Sequence, residues 1–194
     1  MGEALARGGD LEGPQALVLA STSPQRRAIL EQLRIPFEVV APSYHEVGDD
    51  PVEHAVGKAR SVDGGGRPVL GVDTVVVLYG GVLGKPGSEG EARPMLEALS
   101  GHTHEVVSGL CLRTSEWEET GREVTRVTFR QLSPEEIKRY VASGEWEGRA
   151  GAYAIQGLGA SLVERIEGDY LNVVGLPGAL LLRILVERRL ISAA

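Results

Sequence analysis

The sequence predicts an α/β fold, a mixed sheet with helices packed on it. Three features carry that expectation. Short β-branched runs alternate with segments of helical periodicity, starting with a strand–turn–helix unit at residues 17–35. The run at 68–78 is almost continuously apolar and β-branched, which marks a strand buried on both faces at the centre of a sheet. Two hairpin signals, at Gly80-Gly81 and between the runs 104–112 and 123–129, add antiparallel strands to the alternating order.

In chain order, residues 17–20 form the first strand. Ser23 caps a helix with Pro24 at its first position, Ala28, Ile29, Leu30 and Leu33 give it an apolar face, and Pro36 ends it. Residues 37–40 read as the second strand and 41–46 as a loop. Pro51 opens a second helix carrying Ala55, Lys58 and Ala59, and Gly64 to Gly66 break it off. The central strand at 68–78 turns at Gly80-Gly81 into a short return strand at 82–84. A third helix spans 88–99 with Ala92, Met95, Leu96 and Leu99 on one face. Ser133 to Glu136 has the form of a capping box, so a fourth helix runs to about Ser143. Residues 148–159 read as a Gly-rich loop, 160–166 as a strand and 176–189 as the last helix. Residues 100–103 and 148–159 are the hinge candidates.

At 194 residues the chain is one domain, or one domain of two lobes, with room for a substantial core. Residues 1–15 are polar and Gly-rich and read as a disordered extension, leaving 16–194 as the folded domain. Their start has no apolar core for a signal peptide, and no run has the length to span a membrane. A net charge of −7 and 5% aromatic residues argue against nucleic acid as a partner, while leaving room for a small polyanion held by a few local cations. The single cysteine, Cys111, excludes an intrachain disulfide, fits a reducing cytosol and reads as a core residue.

The strand ending in Ser21, Thr22 and Ser23 at a helix N-terminus is an anion-binding arrangement. Free backbone N–H groups and the positive end of the helix dipole meet there, and Arg26 and Arg27 add charged forks. Asp73 contradicts its apolar strand, so it must be paired, metal-bound or at a site. With Thr74 and the adjacent Lys85 hairpin, function is the favoured reading. Lys85 is not part of a P-loop, because position 79 is Tyr and position 86 is Pro. A solitary surface lysine is the commoner case for Lys85 and Lys58, though the small residues around Lys58 tilt it towards a role. Glu46 is a solvated loop acid on its own and, with Asp73, half of a two-carboxylate magnesium site. His102 and His104 alternate on a strand start with no third ligand, which favours a surface reading. Asp169, Tyr170 and Asn172 read equally as a turn or as a second acidic contribution.

Taken together, several stretches resemble the Maf (septum formation) family: Leu19 to Arg27, Gly71 to Thr74, Leu83 to Pro86, Leu99 to His104, Gly151 to Gly157, Val163 to Tyr170 and Asn172 to Pro177. The resemblance runs in order from about residue 17 to about 187. It implies an elongated twisted sheet with two lobes around a central cleft. It also implies a cytoplasmic, homodimeric nucleoside triphosphate pyrophosphatase that uses a divalent cation (Mg²⁺, Mn²⁺ or Co²⁺) and releases the monophosphate and diphosphate. By motif, Asp73 matches the family's proton acceptor, Ser21, Arg26, Lys58 and Lys85 its phosphate-handling residues, and Glu46 its acidic loop residue. Ser23 joins the phosphate cradle as the helix cap, and Glu46 with Asp73 is the implied metal pair. Thr74 and Gln156 match base-reading positions in the pattern of the dTTP/UTP branch. Gln25 stands where that branch has Arg and its sister branch Trp, which makes it a specificity position, and His45 replaces the usual Asp. The rival expectation is a nucleotide-binding regulator of division with little turnover, for which an acid buried beside lysines would have little use.

Overall fold

The computed structural model describes residues 16–192; the extension expected at 1–15 lies outside them. Among the described residues, seven strands form one mixed sheet: β1 (Leu17–Ala20), β2 (Phe37–Val40), β3 (Val69–Leu78), β4 (Gly81–Leu83), β5 (Thr103–Arg113), β6 (Glu118–Phe129) and β7 (Val163–Glu167). Their spatial order is β2-β1-β3-β5-β6-β7, with β4 on β3. β1 is parallel to both β2 and β3, and all the other pairs are antiparallel. The α-helices among the described residues are α1 (Pro24–Gln32), α2 (Pro51–Arg60), α3 (Glu89–Leu99), α4 (Pro134–Ala142), α5 (Tyr170–Val174) and α6 (Gly178–Glu187).

The helix starts follow the expected capping chemistry. Ser23 Oγ accepts from Arg26 N, and Ser133 and Glu136 close the capping box of α4. β3 is the shared spine. Residues 70 and 72 pack with Leu19, Ile29, Leu30, Leu110 and the apolar face of α6, whereas residues 76 and 78 pack with Leu96, Leu99, Val106, Phe129 and Tyr140 around α3 and α4. A third cluster, built on Val18, Ala20, Ala55 and Ala59, seats α2 on the opposite face. Cys111 belongs to it as an inert core thiol, its pKa pushed up to about 12 by burial.

Several expectations need correction. Ala28 is exposed, so the buried face of α1 is narrower, with Ile29 and Leu30 at its centre. The β3–β4 turn is Tyr79-Gly80 rather than Gly80-Gly81: both residues are left-handed (φ 52° and 80°), and Leu78 pairs with Gly81. β6 begins five residues before the expected 123, because its polar first half is held by the ladder to β5. Residues Gly157–Leu162 form a 3₁₀ turn, which delays the last strand to Val163. The polar loop around Asp169 is the cap of α5: its carboxylate accepts from Leu171 N at 2.8 Å and Ala179 N at 3.2 Å.

Candidate active site

The register of β3 creates an opening. On one edge, β1 pairs with Val69, Leu70 and Gly71, and β4 pairs with Val76, Val77 and Leu78. Among the described residues no strand pairs with 72–75 on that edge, while β5 covers them on the other. The gap lies beyond the carboxyl end of parallel β1, where open α/β sheets bind ligands. Asp73 and Thr74 occupy it. Successive side chains of a strand point to opposite faces, so Asp73 faces α2 while Thr74 faces α5.

Two glycines let α2 come close enough to reach Asp73. Gly71 is on the same face as Asp73, and Gly109 of β5 is directly opposite it. A Cβ at Gly71 would collide with the carbonyl oxygen of Ala55, and one at Gly109 with that of Pro51. Without them α2 lies flush on the sheet and presents His54 and Lys58, one turn apart, to the carboxylate. Lys58 Nζ donates to Asp73 Oδ1 at 2.5 Å and pairs with Glu46 Oε1 at 2.6 Å. His54 Nδ1 is 3.4 Å from Asp73 Oδ2, and its Nε2 is 3.2 Å from the Val47 carbonyl oxygen. The loop bearing Glu46 is held by Tyr44, whose ring fills the space a Cβ at Gly57 would take. Lys58, chiefly through its hydrogen bond, holds the Glu46 carboxyl below its usual range.

On the other side, the residues at the start of α1 divide between the cleft and its backing. Ser23, Gln25 and Arg26 line the cleft, whereas Ser21 is buried behind them. Ser21 Oγ accepts from Ser23 N at 3.2 Å and from an Arg26 terminal nitrogen at 3.1 Å, so it braces the guanidinium. Arg26 Nε donates to the Gly175 carbonyl at 3.0 Å, and Thr74 Oγ1 donates to the same oxygen at 3.4 Å. Burial lowers the Arg26 pKa, against the pull of Asp73 and Glu46. Ser23 Oγ donates to Gln25 Oε1 at 3.0 Å. Arg27 is exposed.

The remaining wall is the 148–156 segment, which brings Arg149, Tyr153 and Gln156 into the same cleft as Asp73 and Lys85. Tyr153 is held from behind by His104, whose Nε2 shares a hydrogen bond of 2.8 Å with the phenol oxygen. The surface reading of His104 is therefore wrong: it is 1% exposed, and burial lowers its pKa to about 4. Its place on β5, in phase with buried Val106 and Ser108, explains this. His102 precedes β5 and is exposed.

The unfolded chain binds a proton on His104 near pH 6.5 and the folded protein only near pH 4. Folding stability should therefore fall as pH drops from about 6.5 towards 4, by roughly 1.4 kcal/mol per pH unit at the steepest from this group. Chemical unfolding across that range should show the slope, and His104→Leu should flatten it.

The cleft, of about 800 Å³ to its open mouth, thus collects Ser23, Gln25, Arg26, Lys58, Asp73, Thr74, Lys85 and Gln156. Glu46 joins from an adjoining hollow shared with Asp73, Thr74 and Lys85. Sequence reasoning missed His54 and Arg149. His54 carried a signal, its helical spacing from Lys58; Arg149 was hidden in a Gly-rich loop.

A family model described as Maf-like protein matches residues 16–188. The chain belongs to the Maf family. Its curated relatives include the dTTP/UTP pyrophosphatase of Nitratidesulfovibrio vulgaris, 46% identical over 93% of this chain and 91% of that one. That of Symbiobacterium thermophilum is 48% identical over 84% and 89%. That of Pyrococcus furiosus is 42% identical over 87% and 93%.

Proposed function

We propose that this Maf protein is a nucleoside triphosphate pyrophosphatase that hydrolyses dTTP and UTP to the monophosphate and diphosphate. One observation carries the reading: in a chain whose curated relatives are named dTTP/UTP pyrophosphatase, Asp73 shares one cleft with Arg26, Lys58, Lys85 and Gln156. A site that only held a polyanion would gain nothing from the buried acid.

The triphosphate lies along the N-terminus of α1, with Ser23 and Arg26 receiving phosphate oxygens and Ser21 fixing the guanidinium. Lys58 and Lys85 offset charge that builds on the leaving diphosphate. Asp73 orients a water for in-line attack at the α-phosphorus and takes its proton. Gln156 offers a donor and an acceptor to the pyrimidine edge, with Thr74 and Gln25 beside it.

Glu46, His54 and Asp73 each present a ligand atom, all within 4.8 Å of one another. Two carboxylates and an imidazole fit a divalent cation such as Mg²⁺, Mn²⁺ or Co²⁺, the last two better matched to the imidazole. Bound there, such a cation supplies Lewis-acid stabilisation of phosphate charge. Among the described residues no helix is long and apolar enough to cross a membrane. We place the enzyme in the cytoplasm as a homodimer of single two-lobed domains, without nucleic acid as a partner.

The test is a panel of nucleoside triphosphates with Mg²⁺ or Mn²⁺, assayed for diphosphate release. UTP and dTTP should be turned over fastest. Turnover of none, or release of single phosphate, would overturn the reading.

A further inference from the structure

Four cations line the cleft: Arg26, Lys58, Lys85 and Arg149. Two are already engaged. Arg26 is committed to Gly175 and Ser21, and Lys58 to Asp73 and Glu46. Neither Lys85 nor Arg149 makes a side-chain hydrogen bond or ion pair among the described residues. The Arg149 case is the more telling, because its Nε is buried with no partner. A buried donor left unpaired costs free energy, and a charged one more so, unless a ligand completes it.

The backbone around Arg149 is fixed. Arg149 N donates to the Trp146 carbonyl at 3.1 Å, and Ala152 N to the Arg149 carbonyl at 3.2 Å. Gly151 is left-handed (φ 68°), and a Cβ there would press into the Val76 side chain. Gly151 N also donates to the Gly84 carbonyl at 3.0 Å. That single bond ties the Arg149 segment to the residue preceding Lys85, so the two uncommitted cations project from linked loop segments lining the cleft.

The geometry points to Arg149 as a substrate-binding residue that, with Lys85, holds the terminal phosphates that leave as diphosphate. This rests on the pyrophosphatase reading. Of the roughly four negative charges of a triphosphate, about three reside on its two terminal phosphates, so the free cations belong there. The guanidinium presents a planar fork suited to two oxygens of one phosphate, and its Nε is one of the fork's donors. Gln156 and Thr74 remain for the base.

The test is calorimetric binding of inorganic diphosphate and, separately, of UMP to the full chain in the presence of Mg²⁺. Arg149→Gln should weaken diphosphate about tenfold or more and UMP less than about twofold, with an unchanged unfolding midpoint. The kcat/KM for UTP should fall about 10–100-fold. Arg149→Lys, which keeps the charge but not the fork, should lie between, and it carries the test if the glutamine variant does not fold. Unchanged diphosphate affinity in both variants overturns the assignment. So does an equal loss for UMP, which would place the guanidinium on the nucleoside monophosphate. Wild-type protein that releases diphosphate from no triphosphate would instead sink the pyrophosphatase reading, while the binding comparison would still judge Arg149.

Discussion

Asp73→Asn should lower kcat for diphosphate release by about 10³-fold or more, with little change in the unfolding midpoint. The substitution preserves shape, and the amide oxygen still accepts from Lys58. The negative charge and the proton-accepting capacity are what disappear. Lys58 keeps Glu46 as a partner at 2.6 Å, so the variant does not strand a buried ammonium. A fold that survives with its rate gone separates a chemical role from a structural one. A variant with full activity would move the base elsewhere, and His54, 3.4 Å from Asp73 Oδ2, would be the first place to look. Reporting kcat and KM separately matters: a base acts in the transition state, so kcat and kcat/KM should fall together.

Asp73 was legible in the sequence because it broke a rule: an acid inside a β-branched run needs a reason. The helix start at Ser23 and Arg26 was legible because capping chemistry is local. What stayed hidden depends on packing over long sequence separations. The contact of the buried Ser21 hydroxyl with the Arg26 guanidinium is one such feature. His54 became a neighbour of Asp73 only because α2 lies across β3. Arg149 entered the cleft through a left-handed turn at Gly151 that composition could flag as Gly-rich but not orient. Strand positions suffered likewise. Tyr79 takes a left-handed conformation that sequence reasoning assigned to glycine, and this shifted the β3–β4 turn by one residue.

The close approach of α2 yields the second large effect. Gly109→Ala should destabilise the protein by about 3 kcal/mol, near the upper end for overpacking, and lower the unfolding midpoint by roughly 6–12 °C. The added methyl would meet the carbonyl group of Pro51 and the Val52 backbone nitrogen, not the yielding end of a side chain. Backbone at a helix start cannot step aside without moving the helix. Gly71→Ala should behave alike, since its methyl would meet the Ala55 carbonyl and Ala59. The loss should also reach activity below the melting range, because lifting α2 draws Lys58 and His54 away from Asp73. Gly90→Ala is the matched control: the nearest group to its methyl is the Ser88 hydroxyl at 3.7 Å, and it lies in α3. Helix propensity predicts that this variant gains up to about 1 kcal/mol with unchanged turnover. If Gly109→Ala melted with the wild type, α2 would not depend on the glycine seat, and Lys58 would need another reason to sit 2.5 Å from Asp73.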